Sequence, residues 1–526
     1  MNQKNKKDLW LDAKNLTLEM KLGQMFVTGF PAGQMNTSFC RLVEEYKVGN
    51  VILFKENLLK EKQMFQLCRD IHALIEKNTG VPPFITSDEE GGIVSRLPDS
   101  MGKMPSAMAL SSLKDPHKVY KAALKSGEQL KAMGINFNLA PVLDINSNIG
   151  NPVIGVRSYG RGAEDTWNYA AEALRGYMDA GVMCSGKHFP GHGDTISDSH
   201  LELPRSVKSM EELQNLELVP FEKAIEQKIP AVTIAHVVYE ALDEVPATIS
   251  HKIVTDLLRG QLGFDGLVIS DCMEMNAISS TYGVEEGVIQ AVLAGVELIF
   301  ISHDHERVRS AMDALRTAVE TGRVPMSVID VAVGHILHYK KRYAAIPDQL
   351  DEEILHDCHE LSRQLFRETI DAGTIFHLGK NPCFISPKQT QVSQVSNMEQ
   401  SLCFAEEMQK KYGGVCVQIS LRPEEDEIRK VLETAKHASA VVVGTLNATV
   451  YKGQLAILKE LEKQGTPLAC VTLRNPFELE LLSKETFGLA AWEYSRRSIA
   501  RAAEFFDTEC KEDGKAGKAA EEVSGC

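Results

Sequence analysis

Eight short apolar runs, alternating with segments of helical periodicity, constrain this chain more than any other feature. They are Leu22–Phe30, Val48–Phe54, Pro83–Asp88, Asn136–Ile145, Val182–His188, Ala231–Val238, Gly266–Cys272 and Val296–Ser302. Helix-period segments accompany them at Leu59–Lys77, Leu113–Met133, Glu164–Ala180, Ser209–Gln227, His251–Leu262, Val284–Ala294 and Glu306–Thr321. A strand that is apolar along its whole length, rather than at every second residue, is buried on both faces. Such strands alternating with helices build a parallel sheet, and eight βα units in about 300 residues are the count and length of a TIM barrel. An open doubly wound sheet could use part of this pattern but would not need eight strands. The expected fold class is α/β: an N-terminal TIM (β/α)8-type barrel over residues 1–345, followed by a smaller α/β sandwich domain.

The boundary is read at Tyr343–Asp351, where a proline and a charge run follow a long helical segment. The second domain, residues 352–506, offers one βαβ unit (Val441–Leu446, Lys452–Gln464, Pro467–Leu473), with weaker strands at Thr374–Ile385 and Val415–Leu421. It has no dense ionisable cluster and no glycine-rich phosphate loop, as fits an accessory domain. Residues 507–526, charged and rich in Gly and Ala, read as a disordered tail.

Composition excludes several classes of function. A net charge of −15 disfavours nucleic acid, whose phosphates need clustered Lys and Arg. The 11 cysteines are scattered without a CxxC pair, which points to reduced thiols in a cytoplasmic protein and not to a zinc module or disulfide framework. The first residues carry lysines with no apolar core behind them, so neither a signal peptide nor a membrane segment is expected. No metal and no cofactor is expected.

A barrel places its chemistry at the C-terminal ends of the strands. Polar residues fall there repeatedly: Asp88–Glu89–Glu90 after the third run, Asp144 after the fourth, and Lys187–His188 ending the fifth. His236, Ser270–Asp271 and His303–Asp304 end the last three. The densest stretch is Gly186–His200 (GKHFPGHGDTISDSH), which its glycines and proline make a loop. Three readings of it compete. His188, His192, Asp194, Asp198 and His200 could bind a metal, although no HExxH spacing is present and Lys187 would oppose a cation. His192 and Asp194 could simply tie the loop together. Asp198 and His200, two apart in an extended segment, point the same way, so the carboxylate could hold the imidazole for proton transfer. Asp271 emerges from the buried run Gly-Leu-Val-Ile-Ser and is a candidate nucleophile, with a helix N-cap before Met273 as the plainer alternative. A carboxylate nucleophile with a separate proton donor is the retaining glycosidase scheme.

Four motifs in order now carry a resemblance. SDEEGGIVSRL (Ser87–Leu97), NPVIGVRSYG (Asn151–Gly160), KHFPGHGDTISDSH (Lys187–His200) and VISDCMEM (Val268–Met275) resemble the signatures of glycoside hydrolase family 3, in its β-N-acetylglucosaminidase branch. The resemblance covers most of Leu16–Tyr343. It implies Asp271 as nucleophile, His200 as general acid/base oriented by Asp198, and Asp88, Arg96, Arg157, Lys187 and His188 as ligands of the sugar. The Asp-Ser-His ending sets this branch apart from the family's β-glucosidases, which resemble it over the barrel but draw a glutamate from the following domain. The implied activity is retaining exo-hydrolysis of terminal β-linked N-acetylglucosamine, with muropeptide fragments of peptidoglycan recycling as the substrate. The rival readings are a phosphorylase, in which phosphate replaces water, a β-glucosidase-type member, and a sugar binder with a dead site.

Overall fold

The computed structural model describes residues 12–98, 100–195, 203–390 and 402–508; Asp198 and His200 lie outside the described residues. By internal contacts the chain forms two compact units that divide at Thr369/Ile370.

The first unit is a closed barrel of eight strands: β1 (Phe26–Thr28), β2 (Asn50–Leu53), β3 (Phe84–Ser87), β4 (Phe137–Asn138), β5 (Met183–Phe189), β6 (Ala231–Ile234), β7 (Leu267–Cys272) and β8 (Leu298–Phe300). Each pairs in parallel with its neighbour in sequence, and β8 closes on β1 at Phe26–Ile299 and Val27–Phe300. Burial explains the continuous apolar runs. Every residue of β1 to β6 and of β8 is buried, whereas β7 opens at its last two residues, Asp271 and Cys272. Helices Ala163–Ala180 and Val284–Ala294 end on Gly181 (φ 72°) and Gly295 (φ 108°). This left-handed conformation suits glycine, and it turns the chain directly into β5 and β8.

Most of the eight runs are shorter as strands than the sequence suggests, and two of them lose the most. Leu22–Met25 complete a helix, Leu18–Met25, whose N-cap Thr17 accepts the Met20 N–H, so β1 begins only at Phe26. In the fourth run Pro141 has no N–H for a ladder, and only Val142 rejoins the sheet, bridging Lys187. At the N-terminal end of the barrel Phe84 and Phe137 meet edge to face at 5.4 Å, and the buried Lys340 Nζ donates to Gln24 Oε1 and the Gly49 carbonyl.

The helix Glu352–Thr369 lies beyond the 343–351 segment read from sequence as a boundary, yet it packs with the first unit. Cys358 and Leu365 join the barrel core, and Lys118 bonds Glu368 at 2.8 Å. A Cβ on Gly102 would stand 2.6 Å from the Cys358 backbone, so glycine is what admits the helix there. The second unit holds a five-stranded parallel sheet: β9 (Cys383–Pro387), β10 (Val415–Ile419), β11 (Val441–Thr445), β12 (Leu468–Thr472) and β13 (Phe487–Ala490). Its order, β10-β9-β11-β12-β13, is that of a doubly wound sheet. Among the described residues no helix is long and apolar enough to cross a membrane.

Candidate active site

Six side chains singled out from sequence, Asp88, Arg96, Arg157, Lys187, His188 and Asp271, line one cavity of about 350 Å³ at the C-terminal end of the barrel. Its floor is a charge network. Lys187, on β5, reaches Asp88 Oδ1 at 2.8 Å and Glu90 Oε1 at 2.6 Å. Arg157 grips Glu90 through both nitrogens, Nε to Oε2 at 2.8 Å and Nη2 to Oε1 at 2.9 Å. Arg96 Nη2 stands 3.4 Å from Asp88 Oδ2. Burial opposes charge on both carboxylates, but the facing cations outweigh it. Lys187 and Arg96 hold the Asp88 carboxyl below its ordinary range, and Arg157 with Lys187 holds Glu90 at about 2. Burial likewise works against the Lys187 ammonium, and the two carboxylates overcome it, raising its pKa.

The sequence places these groups by strand geometry. Asp88 and Glu90 are two apart just past β3 and both meet Lys187, while the intervening Glu89 turns elsewhere. The Glu89 backbone is fixed by Asn138 of β4, whose amide oxygen accepts the Glu89 N–H and whose amide nitrogen donates to its carbonyl. Asp144 organises the strand-five loop. Its carboxylate accepts the His188 N–H (3.1 Å), His188 Nδ1 (2.6 Å) and the His192 N–H (2.7 Å). With Nδ1 donating to Asp144, His188 Nε2 is left as an acceptor 3.5 Å from Arg157 Nη2. Asn151 ties the neighbouring loop in: its oxygen accepts the Val153 and Ile154 N–H groups, and its nitrogen donates to the His192 and Thr195 carbonyls.

Asp271, half-buried at the open end of β7, accepts its neighbour's Cys272 N–H at 2.7 Å. Burial pushes the adjacent Cys272 thiol up to about 12, so it is not a nucleophile near neutral pH. Other polar strand ends serve structure. His236 bonds Thr248 Oγ1 and the Cys272 carbonyl, bracing the strand that carries Asp271. Asp304 caps the helix that starts at His305. His192 bonds Thr195, and burial, aided by His188, lowers it to about 4, so it is neutral at physiological pH. Asp194 lies 3.7 Å from Lys208. Among the described residues no group of three His, Cys, Asp or Glu side chains is placed to hold a metal ion.

The pattern of the glycosyl hydrolase family 3 N-terminal domain matches residues 17–339. The chain belongs to glycosyl hydrolase family 3. As a member it is a glycoside hydrolase. The solved structure of a family 3 β-N-acetylglucosaminidase from Paenibacillus sp. str. FPU-7 superimposes with a TM-score of 0.81 at 38% identity, covering 93% of this chain and 96% of that one. A β-hexosaminidase of Alkalilimnicola ehrlichii is 33% identical over 299 residues, 56% of this chain and 84% of that protein. β-Hexosaminidase A of Pseudoalteromonas piscicida is 30% identical over 368 residues, 62% of this chain and 61% of the relative's length.

Around this family 3 site, sequence reasoning placed Glu90 at a strand end but gave it no role, although its spacing from Asp88 carried the signal. Phe54, Met275 and the orienting role of Asp144 also emerge only from the fold, since each depends on which loops meet. Glu89 is a further case. It is fully buried, its Oε2 accepts Ser95 Oγ and the Arg96 N–H, and burial raises its pKa from 4.5 to about 7. The folded state therefore holds a proton between those values that the unfolded chain releases, so this group's contribution to stability falls as pH rises through that window. Glu89→Gln keeps the acceptor and removes the titration. The melting temperature of the variant relative to the parent should be more favourable at pH 8 than at pH 5; a pH-independent difference would contradict this reading.

Proposed function

We propose that this protein is a retaining exo-β-N-acetylglucosaminidase that removes terminal β-linked N-acetylglucosamine from peptidoglycan fragments. The observation that carries the proposal is the sharing of one cavity by Asp271, Asp88, Lys187 and Arg157, the last two bridged by Glu90. Fixed, charged donors and acceptors make strong bonds to vicinal hydroxyls and hold a ring in place for attack. A half-buried carboxylate on a rigid strand end is suited to attack the anomeric carbon. The β-hexosaminidase names of the relatives support the sugar.

In the proposed cycle an Asp271 oxygen attacks C1 as the C1–O bond to the leaving group breaks. His200, protonated and oriented by Asp198, gives its proton to the departing oxygen. The neutral imidazole then takes a proton from water, which attacks C1, breaks the glycosyl ester and frees Asp271. His188 and Arg157, with Lys187, Asp88 and Arg96, would bind the sugar hydroxyls. No step needs a metal.

His200→Ala should slow cleavage of chitobiose, whose sugar hydroxyl is a poor leaving group, by on the order of 10²-fold or more, and an activated aryl glycoside far less. Equal losses on both would remove His200 from the acid role. Initial rates on chitobiose and on an N-acetylglucosaminyl muropeptide, with and without phosphate, test the reaction and the substrate together. Free N-acetylglucosamine, with the muropeptide preferred, is expected. Its replacement by the sugar 1-phosphate would make the enzyme a phosphorylase.

A further inference from the structure

The floor of the cavity is charged, but its mouth carries an aromatic pair. Phe54, half-buried just past β2, and His303, exposed just past β8, set their ring centroids 4.6 Å apart at 33°. Both line the cavity, as does Arg96, whose guanidinium carbon lies 5.7 Å from the Phe54 centroid. The loop bearing His303 is held by a device that nothing in the catalytic proposal uses. Glu274, three residues past Asp271, accepts the Ser302 N–H (2.7 Å) and His303 N–H (2.9 Å) on Oε2 and the Asp304 N–H (2.8 Å) on Oε1. Three consecutive backbone donors on one carboxylate fix where the His303 ring begins. They also tie the β8 loop to the turn that carries the proposed nucleophile.

Burial gives the site a direction. The Lys187, Arg157 and His188 side chains are 4%, 3% and 9% exposed, whereas His303 is open to solvent. A terminal sugar held by the floor therefore has its leaving group at the mouth. A pyranose has one face of C–H groups, and an aromatic ring offers that face a large apolar area at little cost in conformational entropy. We propose that Phe54 and His303, held by Glu274, form a shelf that binds the second ring of the substrate, and that they set the enzyme's preference for a sugar leaving group. This rests on the glycosidase reading above and adds to it the recognition of the leaving sugar.

The test compares a leaving group that is a ring with one that is not: N,N′-diacetylchitobiose against 2-acetamido-2-deoxy-β-glucosyl fluoride. For His303→Ala and for Phe54→Leu, the ratio of kcat/KM on the disaccharide to that on the fluoride should fall about 10-fold, through KM of the disaccharide. An unchanged ratio in both variants, whatever their absolute rates, overturns the shelf while leaving the glycosidase reading intact. A parent enzyme that cleaves neither compound overturns both, and the parent assay alone reveals that case.

Discussion

Asp271→Asn is expected to lower kcat on every N-acetylglucosaminide by at least about 10⁴-fold, the scale on which an essential nucleophile acts. The substitution is nearly isosteric, and the amide oxygen can still accept the Cys272 N–H that Asp271 accepts at 2.7 Å. Because Asp271 is half-buried at the end of its strand, the melting temperature should move by no more than about 2 °C. Added azide, a small anion able to attack C1 itself, should restore part of the rate on an activated aryl glycoside and give the α-glycosyl azide. A variant with a tenth of the parent rate would mean that the carboxylate only caps the following turn.

Lys187→Met should have the largest effect on stability. Lys187 is the cation shared by Asp88 and Glu90, and its side chain is 4% exposed. Removing one partner of a buried ion pair leaves the other charge uncompensated, at a cost of about 3–5 kcal/mol. Arg157 still holds Glu90 in two bonds, so Asp88, left among the described residues with the longer 3.4 Å contact to Arg96, should bear most of the loss. Chemical denaturation of parent and variant measures it. Adding Glu90→Gln to Lys187→Met should cost less than the sum of the two single changes, because the pair shares one network. Strict additivity would mean that the charges are solvated and independent.

The barrel was legible because a strand buried on both faces must be apolar throughout, and all eight runs became strands. What periodicity could not give was where each run stops being a strand. Leu22–Met25 has the apolar content of a strand, yet the Thr17 cap draws it into a helix. The 136–145 run loses its ladder at Pro141. In the second unit β13 (Phe487–Ala490) was missed, because its Phe-Gly-Leu-Ala is short and only Leu489 is fully buried. The same limit applies at the site. Lys187 and His188 could be placed at a strand end from sequence, whereas Glu90, Asp144 and Phe54 matter through partners 97, 44 and 249 residues away in the chain, which no local pattern encodes. Polar residues at strand ends also proved unequal: His236 and Asp304 brace the backbone, while His188 and Asp271 face the cavity.

The central claim is a covalent bond between Asp271 and C1 of the sugar. A 5-fluoro-N-acetylglucosaminyl fluoride, which forms the ester quickly and releases it slowly, should inactivate the enzyme with one label per chain. Proteolysis and mass spectrometry should place that label on the peptide containing Leu267–Met275, at Asp271. A stoichiometric label on Glu274, Asp88 or any other residue, or turnover of the probe with no protein-bound sugar, would contradict the account.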